Sequence, residues 1–386
     1  MKIIVFTSCL FFLSLNELFA DNDGKAKALW VVRDILKSKS TIDQLLSDAR
    51  RGNFTDLFVQ VRGRGDAFYN SQISPKAEGV ANDFDPLAYL IEKAHGQKFK
   101  IHAWMNVFYV WSAERDPLNK EHIIFEHPEW SAVSADNVSM VDEGTSRLIA
   151  KKYEGIFLSP GDDEFQSYFL KLVAELLDHY QLDGIHLDYI RYPGDQYDYS
   201  PGMRSKFMLE YGEDPLKPDN HKNIAQAKDD SDRTVWIKKK WTEFRREELT
   251  RFVAKIHGEV KSLKPEVMLT AAVFADLTEA RDKVMQDWII WLQKGFLDLA
   301  VMMNYAADQT LFENRIREVK ATAGDSIFSK KIWVGVAVYN QNSTLMREKI
   351  KTLKKWKPAG LSVFSYEVLR TDRKYFNAVI DPKLWP

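Results

Sequence analysis

A single cysteine, Cys9, stands among 386 residues, and it lies inside an apolar N-terminal run. Once that run is removed the chain has no thiol. Disulfides, a cysteine nucleophile and thiolate metal sites are then all excluded. An excess of one charge is missing too: 54 Lys and Arg face 55 Asp and Glu, which leaves no electrostatic footprint for nucleic acid or an anionic membrane. No histidine pair has HxH or HxxxH spacing, so neither a metal nor another cofactor is expected. Asp229-Asp-Ser-Asp232 lacks the fixed glycine and terminal glutamate of a calcium loop and reads as the start of a helix. No segment repeats at a fixed period, and no tract is of low complexity.

Residues 1–20 have the pattern of a secretory signal peptide. Lys2 supplies the charge, Ile3 to Leu15 the apolar run, Asn16 and Glu17 a polar break, and Ala20 a small residue before the cut. The run is too short to span a membrane. Export to the periplasm or beyond is expected, with residues 21–386 forming one domain.

Eight short apolar runs alternate with helical patterns, as an α/β barrel of (β/α)8 type requires. The expected strands are Ala28–Arg33, Asp56–Arg62, Lys100–Asn106, Gly184–Arg191, Val267–Phe274, Asp298–Asn304, Ile332–Tyr339 and Gly360–Glu367. Helical stripes fall between them, for example Ile42, Leu45, Leu46 and Ala49, or Leu87, Leu90, Ile91 and Ala94. Two connections are long, Val107–Asp163 after the third strand and Tyr192–Val235 after the fourth. Both leave C-terminal strand ends, where a barrel builds its substrate groove.

The fourth strand carries the most chemistry. In Asp183-Gly-Ile-His-Leu-Asp-Tyr-Ile-Arg-Tyr-Pro193, alternation sets Ile185, Leu187 and Tyr189 on one face and His186 and Asp188 on the other. A buried carboxylate is costly without a task. Asp188 therefore reads as a catalytic carboxylate at the barrel mouth. The same parity turns Gln60, Arg62, His102, Trp104, Asn106, Asn304 and Tyr339 inward, with Arg33 at the end of strand one and either Tyr366 or Glu367 from strand eight. Arg62 has a second reading as a salt-bridge partner of Asp188 or Asp66, Trp104 as a cap on the barrel core, and the two histidines as satisfied interior groups. Glycoside hydrolysis ordinarily takes two carboxyl groups. Asp276, Glu367 and Asp66 are candidates for the second, in no fixed order.

The eleven-residue segment resembles the signature of the glycosyl-hydrolase-like family 10, bacterial cell-envelope proteins. Val59-Gln-Val-Arg-Gly-Arg-Gly-Asp66, His102-Ala-Trp-Met-Asn106 and Met303-Asn-Tyr305 resemble the same family. The resemblance implies a glycan-acting barrel, with peptidoglycan as a plausible polymer. Arg64, Tyr189, Arg191 and Tyr305 lie in these stretches and join the candidate substrate-binding residues. The strand also half-matches the chitinase pattern Asp-Gly-x-Asp-x-Asp-x-Glu: Asp183, Gly184 and Asp188 fit, while His186 and Ile190 replace an aspartate and the acid. In that setting His186 is expected to tune Asp188 by hydrogen bonding. Aromatic residues make up 13% of the chain, enough to supply both a core and flat sugar platforms. The expected function is a secreted glycoside hydrolase of an N-acetylhexosamine polymer. The alternative is a glycan-binding barrel with no competent acid.

Overall fold

The computed structural model describes residues 25–217, 230–381 and 384–385. The expected leader at 1–20, and Asp229 of the acidic cluster, lie outside them. Eight parallel strands close into a barrel: β1 (Ala26–Val31), β2 (Asp56–Arg62), β3 (Lys100–Asn106), β4 (Gly184–Asp188), β5 (Met268–Phe274), β6 (Leu299–Met303), β7 (Ile332–Ala337) and β8 (Gly360–Phe364). Each pairs with its sequence neighbours, and β1 pairs with β8 to complete the ring. The helices packed outside include α1 (Lys39–Arg51), α2 (Pro86–His95), α3 (Asp163–His179), α4 (Asp230–Leu263), α5 (Trp288–Gln293), α6 (Gln309–Ala323), α7 (Ser343–Trp356) and α8 (Tyr366–Thr371).

Local chemistry explains the boundaries. Ser38 accepts from the Thr41 amide to start α1, Asp85 from Ala88 with Pro86 behind it to start α2, and Asp162 from Phe165 to start α3. The α1 stripe Ile42, Leu45, Leu46 and Ala49 is buried, as is the α2 stripe. Five strands are shorter than their apolar patterns, β5 and β6 by only a residue at an end and three by more. β4 stops at Asp188 because Tyr189 adopts a φ of 51°, which no strand tolerates. β8 stops at Phe364, and Tyr366 and Glu367 belong to the helix that follows. β7 ends at Ala337, two residues before Tyr339.

Alternation divides the core in two. Ile185, Leu187, Leu57, Val59 and Val61 join the outer layer against the helices. Trp30, Phe58, Trp104, Leu299, Val301 and Trp333 fill the barrel. Trp30 meets the edge of Trp104 at 4.8 Å between ring centroids, and Phe58 lies 4.3 Å from His186. Lower down, His102 donates to Asp56 across 2.9 Å. Gly184 makes room for this floor, since a Cβ there would lie 2.1 Å from His102 Nδ1. Gly184→Ala is therefore expected to lower the unfolding free energy by about 1–3 kcal/mol in a denaturant titration. An unchanged midpoint would mean that the floor shifts freely.

The two long connections rise over the C-terminal face. The first folds back as a ribbon in which Tyr109–Trp111 pairs antiparallel with Ile156–Phe157. The second contributes Asp198, a fully buried carboxylate that accepts from the Val133 amide at 2.8 Å and the Ser200 amide at 2.9 Å. Arg245 of α4 donates to the carbonyls of Asp195 and Tyr197. The two inserts are thus stitched to each other and to the outer helix layer. Among the described residues, no helix is long and apolar enough to cross a membrane.

Candidate active site

At the C-terminal mouth a cavity of about 440 Å³ opens above the aromatic plug. Its lining draws on Arg33, Gln60, Trp104, Asn106, Asp188, Tyr189, Arg191, Tyr305 and Tyr339, all anticipated from the sequence, and on Tyr109, Glu154, Phe274 and Phe364, which were not. Its aromatic walls suit the apolar faces of pyranose rings. A groove of about 410 Å³ beside α5 lies outside the barrel and touches none of these side chains.

Asp188 sits where the β3–β4 pairing ends, opposite Asn106. It is 8% exposed, yet it forms part of the cavity wall. Its Oδ2 accepts from Trp104 Nε1 at 3.1 Å, and its Oδ1 from the Tyr189 amide at 2.7 Å. Burial outweighs both bonds and pushes its pKa up to about 6, with Arg191 opposing the shift and Glu154 adding to it. A carboxyl group poised there can hold or release a proton near neutrality.

Glu154 is the other carboxylate of the cavity. It comes from the first insert, half-exposed, and it is ion-paired with the buried guanidinium of Arg191. The Tyr189 hydroxyl donates to it across 3.4 Å. Arg191 in turn lies 4.7 Å from the Tyr189 ring centroid and 5.1 Å from that of Phe274. Tyr189 stacks on Tyr109 at 4.4 Å. Gly155 fixes the approach, because a Cβ there would come within 2.1 Å of the Trp111 carbonyl oxygen.

A chain of side-chain hydrogen bonds crosses the floor of the cavity. Arg33 Nη1 donates to Gln60 Oε1 at 3.3 Å, and Gln60 Nε2 to Asn106 Oδ1 at 3.4 Å. Trp104 Nε1 is shared between Asn106 Oδ1, at 3.0 Å, and Asp188. Tyr305 overlooks this floor with a buried hydroxyl that has no protein partner. Burial, reinforced by the charge of Asp188, pushes its phenol well above the ordinary range.

The remaining sequence candidates are placed elsewhere. Arg62 is fully buried and donates to the backbone carbonyls of Asn106 and Val107. A register shift between Gln60 and Arg62 turns it off the cavity. Arg64 lies over the Trp111 ring at 5.6 Å, and Asp66 accepts from the Arg64 amide at 3.0 Å. His102 belongs to the floor. His186 lies within the barrel 2.7 Å from the Thr270 hydroxyl, and burial pushes its imidazole well below the ordinary range. It does not bond Asp188, so the expected tuning falls to Trp104. Asn304 has the opposite parity to Met303 and donates outward to the Phe312 carbonyl on α6. Tyr366 faces Asp48 on α1 at 2.9 Å. None of the three expected partner carboxylates lines the cavity: Asp66 is held by the Arg64 amide, Asp276 caps the Glu279 amide at 3.0 Å, and Glu367 pairs with Arg370 on its own helix. Asp183, half of the chitinase-like match, bonds His95 and the Ile101 amide below the barrel.

A sequence model of the family described as Glycosyl hydrolase-like 10 matches residues 25–353. The chain belongs to the glycosyl hydrolase-like 10 family. It is 23% identical over 374 residues to a Bacillus subtilis protein named glycosyl hydrolase YngK, covering 84% of this chain and 62% of that one. It is 24% identical over 294 residues to glycosyl hydrolase DigH of Escherichia coli K12, covering 68% and 57%. The chain thus spans about three-fifths of the length of these curated relatives. Among solved structures it is similar to the PgaB glycoside hydrolase domain of Bordetella bronchiseptica, with a TM-score of 0.66 at 13% identity over 92% of this chain and 98% of that one. At that identity the likeness shows the barrel fold alone. Within this glycosyl hydrolase-like 10 barrel, Glu154 was beyond the reach of strand parity, because it comes from a loop. The signal available was a glutamate directly before a glycine on the substrate face.

Proposed function

We propose that the chain is a secreted glycoside hydrolase acting on an N-acetylhexosamine-containing polysaccharide, with peptidoglycan glycan strands the foremost candidate. Asp188 is its proton donor and Glu154 its partner carboxylate. The observation that carries the reading is a buried carboxyl group, held near pKa 6, in the wall of an aromatic-lined cavity that holds a second carboxylate. Family membership and the leader pattern at 1–20 support the reaction class and the export. The half-match to the chitinase strand supports the amino-sugar substrate.

In this scheme the protonated Asp188 carboxyl gives its proton to the bridging oxygen as the C1–O bond breaks. Glu154 faces the positive charge that develops on the ring carbon, or takes the proton of the attacking water. Water supplies the new C1–OH, and the leaving oxygen keeps the donated proton. The anomeric configuration of the first product, read by proton NMR, separates the two roles of Glu154.

The test is release of new reducing ends from peptide-free glycan strands by the purified protein. Binding without release would replace the hydrolase with a glycan-binding barrel. The acid role also fixes the pH dependence. Activity should fall as pH rises through about 6, because Asp188 then loses its proton. Trp104→Phe removes a hydrogen bond that favours the charged form, so it should move this limb to higher pH. A limb that stays in place in the variant would detach Trp104 from the titration.

A further inference from the structure

Arg33 differs from the other guanidinium of the cavity. Arg191 has Glu154, whereas among the described residues Arg33 has no carboxylate within ion-pair distance. Its one side-chain bond is to Gln60 Oε1. Asp34 is near enough to feel both Arg33 and Arg64, but its close partner is Lys37 at 2.6 Å. The position is a built one: Gly63 leaves the space that Arg33 occupies, since a Cβ there would lie 2.6 Å from Arg33 Cδ. A planar fork of donors with no carboxylate of its own, set in the wall of a cavity, is suited to a carboxylate brought by a ligand.

Place along the floor adds the rest. Arg33 leaves β1 and Asp188 ends β4, and the hydrogen-bonded chain puts Gln60, Asn106 and Trp104 between them. A ring at Asp188 and Glu154 finds no free cation for an acidic substituent, because Arg191 is already ion-paired with Glu154. A neighbouring ring reaches toward Arg33.

We infer that Arg33 forms a subsite for a carboxylate-bearing sugar next to the ring that reacts, and that the reacting ring is neutral. This rests on the hydrolase reading above and extends it to a choice of bond. In a polymer where neutral and acidic hexosamines alternate, both neighbours of a neutral reacting ring are acidic. The outcome is therefore the same whichever side Arg33 serves: every cut leaves a neutral sugar as the new reducing end.

Two measurements test this. Peptide-free strands of alternating N-acetylglucosamine and N-acetylmuramic acid are digested and reduced with borohydride, and the terminal alditol is identified by mass spectrometry. The neutral alditol is expected, and the carboxylated one overturns the inference. Separately, Asp188→Asn protein is titrated with a carboxylated tetrasaccharide of this polymer and with neutral chitotetraose. The acidic ligand is expected to bind roughly tenfold more tightly, the scale of one charge-assisted contact. That ratio should fall toward one on adding Arg33→Gln and should largely survive Arg33→Lys. Equal affinities in the parent protein remove the subsite, even where cleavage is seen. If no polymer is cleaved the hydrolase reading falls, and the titration still decides the role of Arg33.

Discussion

Replacing Asp188 by asparagine is expected to abolish release of reducing ends, a loss of at least about 10²–10⁴-fold in kcat, while making the folded protein more stable at neutral pH. The two effects share one cause. Burial raises this carboxyl group from 3.8 to about 6. A group raised in this way supports folding fully below its unfolded value and loses that support as pH rises through its folded value. At about 1.4 kcal/mol per unit, the charged form costs roughly 3 kcal/mol at pH 7. Asparagine removes that charge, but its side chain has one acceptor oxygen for the two donors, Trp104 Nε1 and the Tyr189 amide. A net gain of about 1–2 kcal/mol is left. Denaturant titrations should find the variant the more stable protein at pH 7 and the less stable one near pH 4, by about 1 kcal/mol, because the relief from removing the charge vanishes there while the lost hydrogen bond does not. Full activity in the variant would end the assignment of Asp188. Equal stability at both pH values would show that the carboxyl group is not strained by burial.

Glu154→Gln carries the second large effect. As partner carboxylate its loss should lower kcat by about 10²–10⁴-fold, with the change concentrated in kcat and not in KM. The variant also strips a buried arginine of its counter-ion. Some loss of stability is therefore expected, moderated because Glu154 is half in solvent. Glu154→Asp separates the effects: it keeps the charge beside Arg191 but withdraws the carboxylate from the cavity by one methylene. Activity lost with stability retained in that variant supports the catalytic role. Wild-type kcat in Glu154→Gln would return the search for a second carboxylate to its beginning.

How much of this was readable beforehand depends on whether a residue sits on a regular element. β2 and β3 begin and end where their apolar patterns do, and Gln60, Trp104, Asn106 and Asp188 reach the cavity by simple alternation. Prediction failed where regularity stops. Asn304 was assigned by the parity of a strand that in fact presents Met303 inward, and Arg62 by a parity that a register shift cancels. Strand eight was extended over Tyr366 and Glu367, which the chain has already committed to a helix. Glu154 obeys no period, because its place depends on an antiparallel ribbon and on the contact of Gly155 with Trp111. Such loop positions are fixed by long-range packing, which local sequence pattern does not encode.

The tryptophan and phenylalanine side chains packed through the barrel have a consequence for traffic. Trp30, Phe58, Trp104 and Trp333 close the axis beneath Asp188, so the molecule is a bowl and not a tunnel. A long glycan cannot thread through it. Under the hydrolase reading proposed above, a glycan strand would lie across the rim, dip one ring toward the floor, and leave by the side from which it came.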